Sequence, residues 1–138
     1  MPSNINEFDR DLRIFSTIVV PQDHAKLTRK LALEVLRRVV IRTPVDTGRA
    51  RSNWLVAVNN VPAGTIEIEK FTKDQATQYA LSNGIPVIEG AEPFTAISIA
   101  NNLPYIGVLE FGSSKQAPQG MLRVTLSEIQ AQFGGSGL

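Results

Sequence analysis

The chain has 138 residues, no cysteine, 43% hydrophobic and 20% charged residues, and a formal net charge of +1. A globular chain of this size buries roughly 68–70% of its unfolded surface, enough for one core without staples, and the missing cysteines exclude disulfides, thiolate metal sites and cysteine nucleophiles. No apolar run approaches the roughly 18 residues of a membrane span, and the opening MPSNINEFDRD lacks the basic and apolar regions of a signal peptide.

In chain order, Ile5, Phe8, Leu12 and Phe15 recur at spacings of three and four and predict a short amphipathic helix, a helical arm over residues 1–18. Asp23 is a capping residue for a long helix ending near Arg42, with Leu27, Leu31, Ala32, Val35, Leu36 and Val39 on its apolar face. Lys26, Arg29, Lys30 and Arg37 cluster on the other face. Pro44 disfavours helical backbone at Thr43, so the helix stops there. Pro44-Val45-Asp46-Thr47-Gly48 forms a turn in which Pro44 fixes φ, Asp46 bonds to backbone ahead and Gly48 takes a positive φ. Trp54–Val58 is apolar on both faces, as in a central strand, and 65–69 alternates strictly. Together they predict a hairpin.

Lys73–Asn83 predicts a helix stopped by Gly84 and Pro86, with 85–93 as a loop and 94–100 as a further strand. Pro104 starts a short helix closed by Gly112, and Ser113–Gly120 is a polar loop. Leu122, Leu126, Ile129 and Phe133 mark a final helix, followed by a fraying glycine-rich tail at 134–138. The expected fold is α+β, a single domain over 1–138: a small, mainly antiparallel sheet packed by the long N-terminal helix and the C-terminal helix.

Residues with catalytic chemistry are sparse. The one histidine, His24, is expected as an exposed residue of a helix's first turn, and no G-x-S-x-G elbow accompanies any serine. Neither a zinc ligand set, a calcium loop nor a phosphate-cradling glycine loop is present in the sequence. Glu67 and Glu69, like Asp9 and Asp11, are spaced as solvated pairs rather than as acids facing across a cleft. No metal, cofactor or catalytic residue is therefore assigned. The basic stripe Lys26, Arg29, Lys30 and Arg37 suits a solvated helix face, DNA or an acidic neighbour, and it has no interleaved aromatics for base stacking. Charge is also unevenly placed: residues 1–51 hold ten Lys/Arg and six Asp/Glu, residues 52–138 four and seven. Opposite-signed halves suit head-to-tail packing of copies. Trp54 is expected in the core, while Tyr105 and Phe111 fit a core or an interface equally well.

Two segments are jointly distinctive. One is Thr43-Pro44-Val45-Asp46-Thr47-Gly48-Arg49 with Ser52-Asn53-Trp54. The other is Asn101-Asn102-Leu103-Pro104-Tyr105, then Leu109-Glu110-Phe111-Gly112, Ser114–Pro118 and Gly120-Met121. In this order, after a long amphipathic helix, they resemble the tail-component family of lambdoid and related long-tailed phages, the gene-product-ten-like, tail-completion or head–tail joining proteins. The resemblance spans roughly residues 5–133 and is weakest over 70–93.

The resemblance implies a non-enzymatic virion protein of the neck or proximal tail, assembled in the host bacterial cytoplasm. It implies homo-oligomeric rings, commonly hexamers, that complete the tail and mate it to connector and tail-tube partners. It carries over no catalytic residue. Pro44, Asp46, Gly48 and Trp54 are expected to set a structural turn. Asn102, Pro104, Tyr105, Glu110, Phe111, Gly112, Pro118 and Met121 are expected at a subunit interface. Lys26, Arg29, Lys30 and Arg37 are expected to face a lumen or partner, and 113–120 and 89–93 are expected to order on the partner's arrival. The competing expectation is a DNA-contacting connector or gating module using the basic helix 24–42. A small hydrolase would need His24 placed, or an acid pair buried, in a pocket.

Overall fold

A computed structural model describes residues 14–20, 24–111 and 120–133, with only the backbone described for Phe15 and Phe133. The elements are β1 (Ile14–Val19), α1 (Ala25–Arg42), α2 (Arg49–Ser52), β2 (Trp54–Val58), α3 (Lys73–Glu89), β3 (Ala96–Asn101), α4 (Ile106–Glu110) and α5 (Leu122–Phe133). The fold is α+β, with three antiparallel strands in the order β1-β3-β2. The register sets Ile99 opposite both Ser16 and Val56, and Asn101 opposite both Ile14 and Trp54.

The core lies between this sheet and the helices. From α1 it takes Leu31, Ala32, Val35, Leu36, Val39 and Val40, which meet Trp54, Ile97 and Ile99 from the sheet and Ile88 from α3. The expected apolar face of α1 is thus the buried one, although Leu27 is only half-buried. Helix α3 packs on β2 and on α1, while α5 packs on α1. The helix pressed most closely on the sheet is therefore α3.

Several expectations give way to tertiary contacts. Residues 14–18, assigned to a helical arm, are strand: the β-branched run Ile14, Thr17, Ile18, Val19 pairs with β3 along its whole length. Ile5, Phe8 and Leu12 lie outside the described residues, as do Asp23 and the tail 134–138. Strand β2 is an edge strand, not the central one, and its partner is β3.

No hairpin forms with 65–69, because the Asn53 side chain occupies that backbone. Its Oδ1 accepts from Ile66 N at 2.7 Å and its Nδ2 donates to Ile66 O at 3.0 Å. One amide thus replaces one rung of a ladder. The alternation survives as half-buried Ile66 and Ile68 between exposed glutamates.

Helix α3 runs through both predicted stops to Glu89. It starts on a capping box, in which Thr72 and Gln75 bond to each other's backbone N–H. Gly84 stays helical because it lies where three elements meet: a Cβ there would stand 2.6 Å from Leu36 Cδ2 and 2.9 Å from Val56 Cγ2. Pro86 is exposed, and buried Ile88 anchors the turn beyond it. The following segment is anchored too, since Arg29 Nη1 donates to Ala91 O at 2.7 Å and Ala91 is buried. Within the single chain, the segment expected to order on a partner's arrival is thus tied to α1 at Ala91. In α5 Leu122 is buried and Ile129 packs against the core as expected, but Thr125 takes a fully buried position and Leu126 is exposed.

Candidate interaction surfaces

Helix α1 ends where Thr43 turns extended, at φ −72° and ψ 127°. The Thr43 hydroxyl donates to Val39 O at 2.6 Å and accepts from Trp54 Nε1 at 2.7 Å. The end of the helix is thereby tied to the first residue of β2. Arg51 adds a second tie, its guanidinium donating to Ile41 O at 2.7 Å and Thr43 O at 3.0 Å. Burial lowers the Arg51 pKa from its ordinary value, and Asp74 opposes the shift.

Within the turn, Gly48 has φ +87°, and a Cβ would stand 2.7 Å from Phe71 O. Both facts demand glycine. Phe71 N in turn donates to Thr47 O at 2.7 Å, which fastens the turn to the start of α3.

The second motif packs against the first. Asn101, fully buried, donates from Nδ2 to Ala50 O at 2.9 Å. Asn102 donates to Pro62 O at 2.9 Å and to Gly64 O at 3.0 Å. Between the motifs lies a notch of about 310 Å³, walled by Pro44 to Ala50 on one side and by Tyr105 and Leu109 on the other. Arg49 reaches out of it to Glu67 at 2.9 Å, and its buried Nε has no partner. Burial raises the Tyr105 hydroxyl pKa; Arg49 works against that shift and Asp46 with it.

Beside the notch, α4 turns an apolar stripe outward. Tyr105, Val108 and Phe111, spaced by three, are all exposed, Val108 by 51% and Phe111 by 63%. The Arg123 guanidinium sits 4.8 Å from the Phe111 ring centroid. Pro104 is exposed at the start of the stripe.

Two expected interface residues are not at the surface. Glu110 is 2% exposed and Met121 is fully buried. The Glu110 carboxylate accepts from Met121 N at 3.0 Å, Leu122 N at 2.8 Å and Arg123 N at 2.8 Å. It supplies acceptors for the orphan amides that begin α5, where a negative charge is favoured. Gly112 and Pro118 lie outside the described residues, as does 113–119.

The basic residues of α1 divide into two groups. Arg29 is spent on Ala91 O, Arg38 on Glu34 and Glu128, and Arg42 on Glu128 at 2.6 Å. Lys26, Lys30 and Arg37 are exposed and make no ion pair among the described residues. His24 is exposed at the head of the helix, away from any described cluster of three or more His, Asp or Glu.

The Asn53 bracket, the Glu110 anchor and the Arg42–Glu128 pair escaped sequence reasoning. Each joins residues 11 to 86 positions apart. Among the described residues, no helix is long and apolar enough to cross a membrane. Comparison of the chain with protein-family models, curated proteins and solved structures finds no match.

Proposed function

We propose that the chain is a structural protein of a long-tailed phage particle, closing into a homo-oligomeric ring, a hexamer, at the neck or proximal tail. It would finish the tail and join it to the head connector without making or breaking a covalent bond. The observation that carries this reading is the meeting of its two distinctive motifs. Separated by some fifty residues in the chain, they wall one notch, with the apolar α4 stripe alongside.

A ring of identical subunits needs one patch to meet a different patch next door. An exposed stripe of aromatic and branched residues is the chemistry found at the centre of such contacts. Tyr105, Val108 and Phe111 supply the knob, and the rigid turn beside them sets its angle. Native mass spectrometry of the full chain, alone and mixed with its neighbouring virion proteins, tests the reading. The expected result is a discrete multimer that is lost in Val108→Asp/Phe111→Asp while circular dichroism stays unchanged. A strict monomer in both settings, or a multimer indifferent to the double substitution, overturns it.

A further inference from the structure

The outward face of α1 is a second surface, with its groove at the end of the helix away from the α4 stripe. Lys26, Lys30, Leu33, Arg37 and Ile41 follow one another at spacings of four, three, four and four. At ~100° per residue they fall within an arc of about 80°. Lys26, Lys30, Arg37 and Ile41 are exposed and Leu33 is half-buried. Cations and apolar side chains thus share one line of the helix.

At its N-terminal half this line borders an open groove of about 600 Å³. Leu27 and Leu33 supply its apolar lining, with Lys26, Arg29, Lys30 and Glu89 among its charged lining. Every other described basic residue of α1 has a partner within the chain, and the three on the stripe have none among the described residues.

We propose that this stripe docks an acidic amphipathic helix of another polypeptide. The partner would lay an apolar ridge over Leu27, Leu33 and Ile41 and carry carboxylates on its flanks to meet Lys26, Lys30 and Arg37. That is helix-in-groove recognition, read as anchors at three- and four-residue spacing. Lysine suits the rim because its aliphatic stem covers apolar surface while its ammonium stays in water. Nucleic acid fits less well. A phosphate backbone buries nothing against Leu33 and Ile41, and no aromatic lies on the stripe to stack a base.

The test uses the full chain and a fluorescein-labelled helical peptide of Leu, Ala and Glu, with leucines in one stripe and glutamates on its flanks. Fluorescence anisotropy is expected to show saturable binding that weakens about tenfold, or ~1.4 kcal/mol, in Lys26→Glu/Lys30→Glu. Leu33→Ala is expected to weaken it about fivefold through lost apolar contact. Both variants sit on an exposed or half-exposed helix face, and thermal melts check that they fold.

Three outcomes overturn the proposal. One is absence of peptide binding. Another is equal binding of a scrambled peptide of the same charge, together with indifference to Leu33→Ala. The third is a duplex oligonucleotide that displaces the peptide and binds more tightly. The inference does not depend on ring formation, so either reading can fail while the other stands.

Discussion

Thr43 shows how one side chain can join two elements. Its hydroxyl has one proton, given to Val39 O, and a lone pair that receives the buried Trp54 N–H. Thr43→Val keeps the shape and removes both bonds, leaving the indole N–H unpaired inside the core. Urea unfolding is expected to show a loss of about 1–3 kcal/mol, the usual cost of a buried unsatisfied donor. Thr43→Ser keeps the hydroxyl and is expected to lose much less, and a variant pair of equal stability would refute the role. Glu110 is a parallel case with charge added. Glu110→Gln retains one carbonyl acceptor but turns an amide donor toward either the N–H groups of Met121 and Leu122, which share Oε1, or that of Arg123, on Oε2. It is expected to lose about 1–3 kcal/mol and to loosen the first turn of α5, visible as faster amide exchange at Leu122 and Arg123. Charge reversal at Glu110 is therefore a stability experiment, not a test of subunit contact.

At the scale of elements, the long helix was legible because its signal is local: six apolar positions at helical period, ended by a proline. The same holds for the short helix after Pro104 and for β3, whose centre Ile97-Ser98-Ile99 lies within the expected strand. What escaped was decided by contacts distant in sequence. Gly84 and Pro86 are stop signals locally, yet close packing against Leu36 and Val56 retains α3 as one helix. Gly84→Ala would gain up to about 1 kcal/mol of helix propensity. Its methyl would enter space held by the stiff, β-branched Val56 and the fully buried Leu36. Overpacking of this kind costs about 1–3 kcal/mol, so a net loss in thermal midpoint is expected, and a gain would show that the helices can part. The docking of α5 on α1 carries a pH signature. The Arg42 hydrogen bond, with the charges of Arg42 and Arg38, holds the Glu128 carboxyl below its ordinary 4.5 against opposing desolvation. A depressed carboxyl pKa contributes stability above its unfolded value and loses it as pH falls through the folded one. Glu128→Gln is accordingly expected to flatten the stability profile below about pH 4.5 and to leave that profile's slope at neutral pH unchanged.

Across the whole molecule, the basic first half and acidic second half are joined in part inside one copy. Arg38 and Arg42 meet Glu128, and Arg49 meets Glu67, so these charges are not left over for a neighbour. What remains unpaired on α1 is concentrated on its outward stripe, whose groove lies toward the N-terminal end of the helix. The two motifs and the α4 stripe lie at its other end, beyond Thr43. Helix α1 has 18 residues, so the groove-side Lys26 and Lys30 stand roughly 20–25 Å along its axis from Thr43 at ~1.5 Å per residue, whereas Arg37 and Ile41 lie close to it. The separation of the two lysines exceeds the Debye length of about 8 Å at physiological salt and the 7–10 Å within which substitutions usually couple. Substitutions at Lys26 and Lys30 should therefore act independently of the α4 stripe. Val108→Asp/Phe111→Asp is expected to leave the affinity for the acidic peptide within about twofold. Reciprocally, Lys26→Glu/Lys30→Glu is expected to leave the mass of the multimer unchanged. A multimer that dissociates on reversing the two lysines would place the basic stripe inside the subunit contact, and the division of labour between the two ends of α1 would have to be abandoned.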